Sequence, residues 1–162
     1  MEPSVTHSTF VIEHKYPYPP ERLYAAFSDP EKKRRWFADS EERVAEQYEM
    51  DFRIGGLERV VYRMGASTPF PGVALSSVGT IQDIVPNHRV VAAQTMSLAD
   101  RHISSALITV EFTPNAAGAD LRFTHQGAFY EGSDGPRMRE DGWRGIFERF
   151  AAYLSKESRP AA

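Results

Sequence analysis

Apolar residues near the C-terminus, Met138 and then Trp143, Ile146, Phe147, Phe150, Tyr153 and Leu154, recur from Trp143 onward three and four apart. That is the period of a single helical stripe. Arg137, Arg139, Glu140, Arg144, Glu148 and Arg149 supply a charged opposite face. The spacing predicts one helix over 136–155, with Trp143, Ile146, Phe147 and Phe150 buried and Arg139 and Glu148 exposed. Pro136 suits the first helical turn, and Asp134 or Ser133 just ahead of it can cap the free amides. At 1.5 Å per residue the helix is about 30 Å long, so its aromatic stripe needs a wide apolar surface to cover it.

The pattern upstream supplies that surface. Ser8–Lys15 alternates through Phe10 and Ile12 as a first strand, which Tyr16–Pro20 ends. Glu21–Phe27 carries Leu23 and Phe27 four apart, a short helix; Asp29-Pro30, an N-cap followed by proline, opens a second over Glu31–Phe37. Val44–Ile54 reads as strand up to the turn or bulge at Gly55-Gly56, and Leu57–Met64 alternates as a half-buried strand. Val73–Val85 and Arg89–Leu98 flank a turn at Pro86-Asn87; Ala106–Thr113 and Asp120–Gln126 flank another at 114–119. Strands joined by short turns make an antiparallel meander, so the order is strand, two short helices, six strands and a long helix. This is an α+β pattern, and residues 157–162 read as a frayed tail.

Length changes the picture little: 162 residues suit one domain over 1–162, with its core at about 8–155. A net charge of −3 gives no electrostatic reason to expect nucleic acid or an anionic membrane as partner. Without cysteine there are neither disulfides nor thiolate metal sites. His7, His14, His88, His102 and His125 are scattered with no paired metal spacing, so no metal or other cofactor is expected. No run reaches the roughly 20 apolar residues of a membrane span, and no basic segment followed by an apolar one opens the chain. A soluble, cytoplasmic protein is the expectation.

Several stretches then form a set. Pro19-Pro20-Glu21-Arg22-Leu23-Tyr24 through Ser28-Asp29-Pro30-Glu31 to Trp36-Phe37 is followed by Asp51-Phe52-Arg53-Ile54-Gly55-Gly56. Gly79-Thr80-Ile81-Gln82-Asp83-Ile84-Val85-Pro86, the strand over Gly118–Gly127 and Gly142-Trp143 complete it. In this order they resemble proteins related to the activator of the heat-shock protein ninety ATPase. The resemblance implies the helix-grip fold of the START-like (SRPBCC) superfamily, a curved antiparallel sheet wrapped around the long C-terminal helix. It also implies a cavity between the two, and fold far better than function.

The candidate cavity residues are Trp36, Phe37, Tyr62, His125, Phe129, Trp143 and Phe147. Alternation places His125 on one face with Leu121 and Phe123, where an imidazole either meets a ligand or pairs with a core neighbour. Aromatic walls select flat or hydrophobic ligands, while any one of these rings also serves as plain core filling. Lys32-Lys33-Arg34-Arg35 reads as a solvated helix face rather than a nucleic-acid patch. No G-x-G-x-x-G, P-loop or G-x-S-x-G is present, and no catalytic residue is assigned.

Three functions remain in order. The first is binding of a small hydrophobic or aromatic ligand. The second is a polyketide cyclase- or aromatase-like enzyme using the same cavity, with His125 or Tyr62 moving a proton. The third is stimulation of a chaperone ATPase. A homodimer is compatible with each of them.

Overall fold

The computed structural model describes residues 1–41 and 43–158. In chain order the elements are β1 (Val5–Tyr16), α1 (Pro20–Ser28), α2 (Pro30–Lys33) running into a π-helical turn (Arg34–Ala38), and β2 (Gln47–Met50). Then come β3 (Leu57–Arg63), β4 (Ala74–Val85), β5 (Arg89–Leu98), β6 (Arg101–Pro114), β7 (Ala119–Tyr130) and α3 (Pro136–Glu157). The strands form one seven-stranded sheet in the order β1-β7-β6-β5-β4-β3-β2, with every neighbouring pair antiparallel. This is the α+β helix-grip architecture expected from the sequence. Irregular register at Ile81/Asp83 and at Met96/Ser97 helps to bend the sheet.

Alternation sorts the two faces. On β7 Leu121, Phe123, His125 and Phe129 are buried, and Phe10, Ile12 and Tyr16 of neighbouring β1 join them. Against that half of the sheet α3 lays Arg139, Trp143, Phe147, Phe150 and Leu154, spaced four, four, three and four. Phe123 meets Trp143 at 4.5 Å and Phe147 at 5.2 Å between ring centroids. Beyond them Trp36 is fully buried, its ring 4.5 Å from Phe150 and 4.8 Å from Phe27, with its indole N–H donating to the Ala26 carbonyl at 3.0 Å.

Two features of α3 differ from the sequence reading. Arg139, expected exposed, is 5% exposed, whereas Met138, expected on the buried stripe, is 65% exposed. The buried face is centred on the line through Arg139 and Trp143, one residue and so about 100° from Met138. The cap also differs: Gly135, at φ 86°, occupies the N-cap without a side-chain hydrogen bond. Asp134 is instead engaged by Arg139, and Ser133 Oγ both donates to Asp134 and accepts from the Gly135 N–H. Ile146 is half-buried, and Glu148 is exposed.

The strand expected over 44–54 shrinks to Gln47–Met50. On one side the Asp39 carboxylate holds the Ala45 N–H at 2.9 Å; on the other Asp51–Gly56 forms a turn with Gly55 at φ 83°. That turn docks on β4, with Gly55 N–H donating to Ile81 O at 2.7 Å and Ile81 N–H to Gly56 O at 2.9 Å. At the other end Glu157 closes α3, held by the Tyr153 hydroxyl and Arg22. Ser158 N–H and Oγ both bond to Leu154 O, and the rest of the expected tail, 159–162, lies outside the described residues.

Because Phe147 is 1% exposed and touches Phe123, Trp143 and Phe150, Phe147→Ala should lower unfolding free energy by roughly 3–5 kcal/mol in urea titrations. A loss below about 1 kcal/mol would mean that the helix does not seat there.

Candidate functional site

Because α3 covers the β1–β7 side, its other flank faces β3, β4 and β5 across a cleft of about 340 Å³. That is within the range of small-molecule sites. Met138, Gly142, Ile146 and Arg149 form a second stripe on α3, three and four apart, beside the core stripe. The sheet contributes Val60, Tyr62, Leu75, Ser76, Ser77, Gln94 and Met96; Phe37 of the π-helical turn and Arg43 complete the wall. A second, smaller void of about 50 Å³ lies deeper, between α1 and the π-helical turn and strands β3–β6. Phe37, Gln94 and Trp143 line both, and the Phe37 and Trp143 rings stack at 5.7 Å as part of the partition.

Polar groups in the larger cleft are few and mostly engaged. The Tyr62 hydroxyl donates to Ala38 O at 2.6 Å, and Gln94 Nε2 donates to Ser77 Oγ. Arg139 Nε and Nη2 each donate to one oxygen of Asp134 at 2.7 Å, a side-on fork. Burial would raise the Asp134 pKa, but the Arg139 hydrogen bonds and charge outweigh it and hold the carboxyl below its usual value. Arg139 lies 5.1 Å over the Phe129 ring, and its Nη1 is buried without a hydrogen-bond partner. Arg149 reaches the Trp36 and Phe37 carbonyls at 3.3 and 3.4 Å. Arg43 lies over Tyr62, its guanidinium carbon 3.7 Å from the ring centroid.

His125 sits outside that wall. It is fully buried, stacked parallel on Phe10 at 4.6 Å and beside Phe129 at 6.0 Å, with both ring nitrogens unpartnered. Gly127 makes this stack fit: a Cβ there would come within 2.7 Å of the Phe129 ring and 2.9 Å of the His125 ring. Burial first, and then the Arg139 charge, push the imidazole down to about 4. At neutral pH it is an uncharged ring in an aromatic stack.

Of the seven residues proposed from sequence, Phe37, Tyr62 and Trp143 line the 340 Å³ cleft together. Trp36, His125 and Phe129 pack in the core, while Phe147 faces the β1–β7 half. The cationic run also differs from a solvated face. Lys33 is largely buried, its Nζ 2.8 Å from Glu58 Oε2 and 4.8 Å over Phe37, and Arg34 pairs with Asp39 at 3.0 Å. Tyr48 donates to the same Glu58 at 2.8 Å; burial, and then Glu58, push its phenol upward. Sequence reasoning missed Arg43, Ser77, Gln94, Met96, Arg139 and Gly142. Arg139 left a trace, standing four residues before Trp143 on the core stripe, and Gly142 stood in the Gly142-Trp143 element without being read as part of a site.

A curved sheet gripping a long C-terminal helix, with a cleft along one flank of that helix, defines a helix-grip domain of the START-like class. A family model described as "Activator of Hsp90 ATPase homolog 1-like protein" matches residues 17–155, and the chain belongs to this family. It is similar to an uncharacterised protein from Rhizobium leguminosarum (33% identity, 96% of this chain and 99% of that one, TM-score 0.90). A Rhizobium loti protein is 39% identical over 93% of this chain and 99% of its own, with a TM-score of 0.83. A Chromobacterium violaceum protein is 26% identical over 89% and 95%, with a TM-score of 0.72. None of the curated proteins matches the chain. Among the described residues, no three His, Cys, Asp or Glu come together as a metal site, and no helix is long and apolar enough to cross a membrane.

The His125 environment has a pH consequence. The folded state resists protonation down to about 4 whereas the unfolded chain takes a proton near 6.5. Stability is therefore unaffected above that window and falls as pH drops through it, by up to about 3 kcal/mol from this group. Urea unfolding of wild type and His125→Phe between pH 4 and 7 should show a flatter pH dependence in the variant; parallel curves would contradict a buried neutral imidazole.

Proposed function

We propose that the protein binds one small, largely apolar or aromatic molecule in the cleft between α3 and strands β3–β5. The observation that carries this reading is the second stripe of α3. Gly142 lies at its middle, exposed at the edge of the cleft, so a larger side chain can be added there. A helix held by its neighbouring stripe, with open volume against an apolar sheet face, is the arrangement of a ligand site rather than of a closed core. Phe37, Trp143, Met96, Ile146 and Leu75 would contact the ligand body, and Ser77 would offer a hydroxyl. Family membership supports a ligand-binding domain in this general sense.

The cyclase-like alternative gains no support from the proton carriers first considered for it. His125 stacks in the core and is neutral to about pH 4, and Tyr62 already donates its proton to Ala38 O. A co-chaperone role rests on the family description alone, and no feature of the cleft bears on it.

The test uses two fluorescent probes with the same anilinonaphthalene body, neutral N-phenyl-1-naphthylamine and the sulfonate 8-anilino-1-naphthalenesulfonate. At least one should bind wild type at one-to-one stoichiometry, and Gly142→Phe, which fills the cleft, should weaken it tenfold or more. Gly142→Ala should keep binding and add about 0.5–1 kcal/mol of stability, because glycine inside a helix is costly. Failure of both probes, or binding untouched by Gly142→Phe, would remove the cleft as the site.

A further inference from the structure

Resting on that reading, we infer that the cleft selects organic anions: molecules with an apolar or aromatic body and one terminal anionic group, seated with that group against Arg43. Charge in the wall leads there. Among the described residues the cleft is lined by three guanidinium groups, those of Arg43, Arg139 and Arg149, and by one carboxylate, Asp134. Asp134 spends both oxygens on Arg139, so that pair is a neutral unit. It offers little to a charged ligand except its buried, unpartnered Nη1 donor. Arg149 spends donors on two backbone carbonyls.

Arg43 is different. No carboxylate among the described residues pairs with it, and its guanidinium rests on the face of Tyr62. Contact with the ring holds the guanidinium at the margin of the cleft, and its five N–H donors allow a two-pronged contact with a carboxylate or sulfonate beside its interaction with Tyr62. Tyr62 is itself fixed by its bond to Ala38 O, so the platform is rigid. Next to an apolar wall of low dielectric, a cation that no described carboxylate neutralises favours an anion over a neutral molecule of the same shape. Its position on an exposed loop residue also lets the head group enter last and keep part of its hydration.

The two probes differ only by the sulfonate, so their ratio reads the inference directly. Wild type should bind 8-anilino-1-naphthalenesulfonate at least tenfold more tightly than N-phenyl-1-naphthylamine, with only the sulfonate's affinity falling as salt rises. Arg43→Gln should erase the advantage and leave the neutral probe's affinity in place; Arg43→Lys should retain much of it. Circular dichroism spectra identical to wild type would show that both variants fold, as expected for an exposed loop position. Equal affinities in wild type, an advantage that survives Arg43→Gln, or loss of both probes together in that variant would each overturn the inference. The first two of these outcomes leave the ligand-binding reading standing. If neither probe binds wild type, the reading and the inference fall together.

Discussion

One helix cannot cover seven strands. At about 4.8 Å between strands the sheet is roughly 30 Å wide, and a helix with its side chains is about 10–12 Å across. The position of α3 is set by rings: Phe123 against Trp143 and Phe147, and Phe150 against Trp36 and Phe27. These contacts pull it onto β1 and β7 and onto α1. The rest of the concave face must be covered by other segments or left open. The π-helical turn covers part with Phe37, and what it leaves is the cleft. Site and core are thus two results of the same geometric shortfall.

The elements were legible because their signals are local. A period of three and four over 143–154, alternation along β7, and Asp29-Pro30 as a cap need no knowledge of the partner surface. Asp29 does accept from the Glu31 and Lys32 amides, at 2.9 and 3.3 Å. Where local signals conflicted with a neighbour, they misled. Met138 is apolar and in phase with Ile146, so it read as core; it is in phase with the wrong stripe, the one that borders open volume. Arg139 read as surface because it is charged, and nothing before the fold says that Asp134 would curl back to neutralise it and Phe129 would lie under it.

The wall of the cleft was less legible than the core for a related reason. Phe37, Tyr62 and Trp143 announce themselves as aromatics. Ser77, Gln94 and Met96 lie on strands whose inward positions look unremarkable, and they become a wall only because the core stripe of α3 packs on the other half of the sheet. Gly142 stood out only as part of Gly142-Trp143, and with no side chain it gave no sign of lining a site. A site made by the absence of contact leaves weak marks in a sequence, whereas a core made by contact leaves strong ones. His125 shows the converse: a residue whose chemistry invites a functional reading is held in a stack that Gly127 leaves room for.

Arg139, buried, and Arg43, exposed, show how the same residue type does different work in one wall. Arg139 is deep, forked on Asp134, and its charge is cancelled where desolvation is most costly. Removing its partner would leave an uncompensated charge, so this pair specifies where the first turn of α3 sits more than it adds net stability. Arg43 stays near water, where a guanidinium with no carboxylate partner among the described residues costs little, and the Tyr62 ring holds it without discharging it. A cleft graded in this way, neutral at depth and cationic at its margin, suits a molecule that is itself divided: apolar where it must be buried, charged where water can still reach.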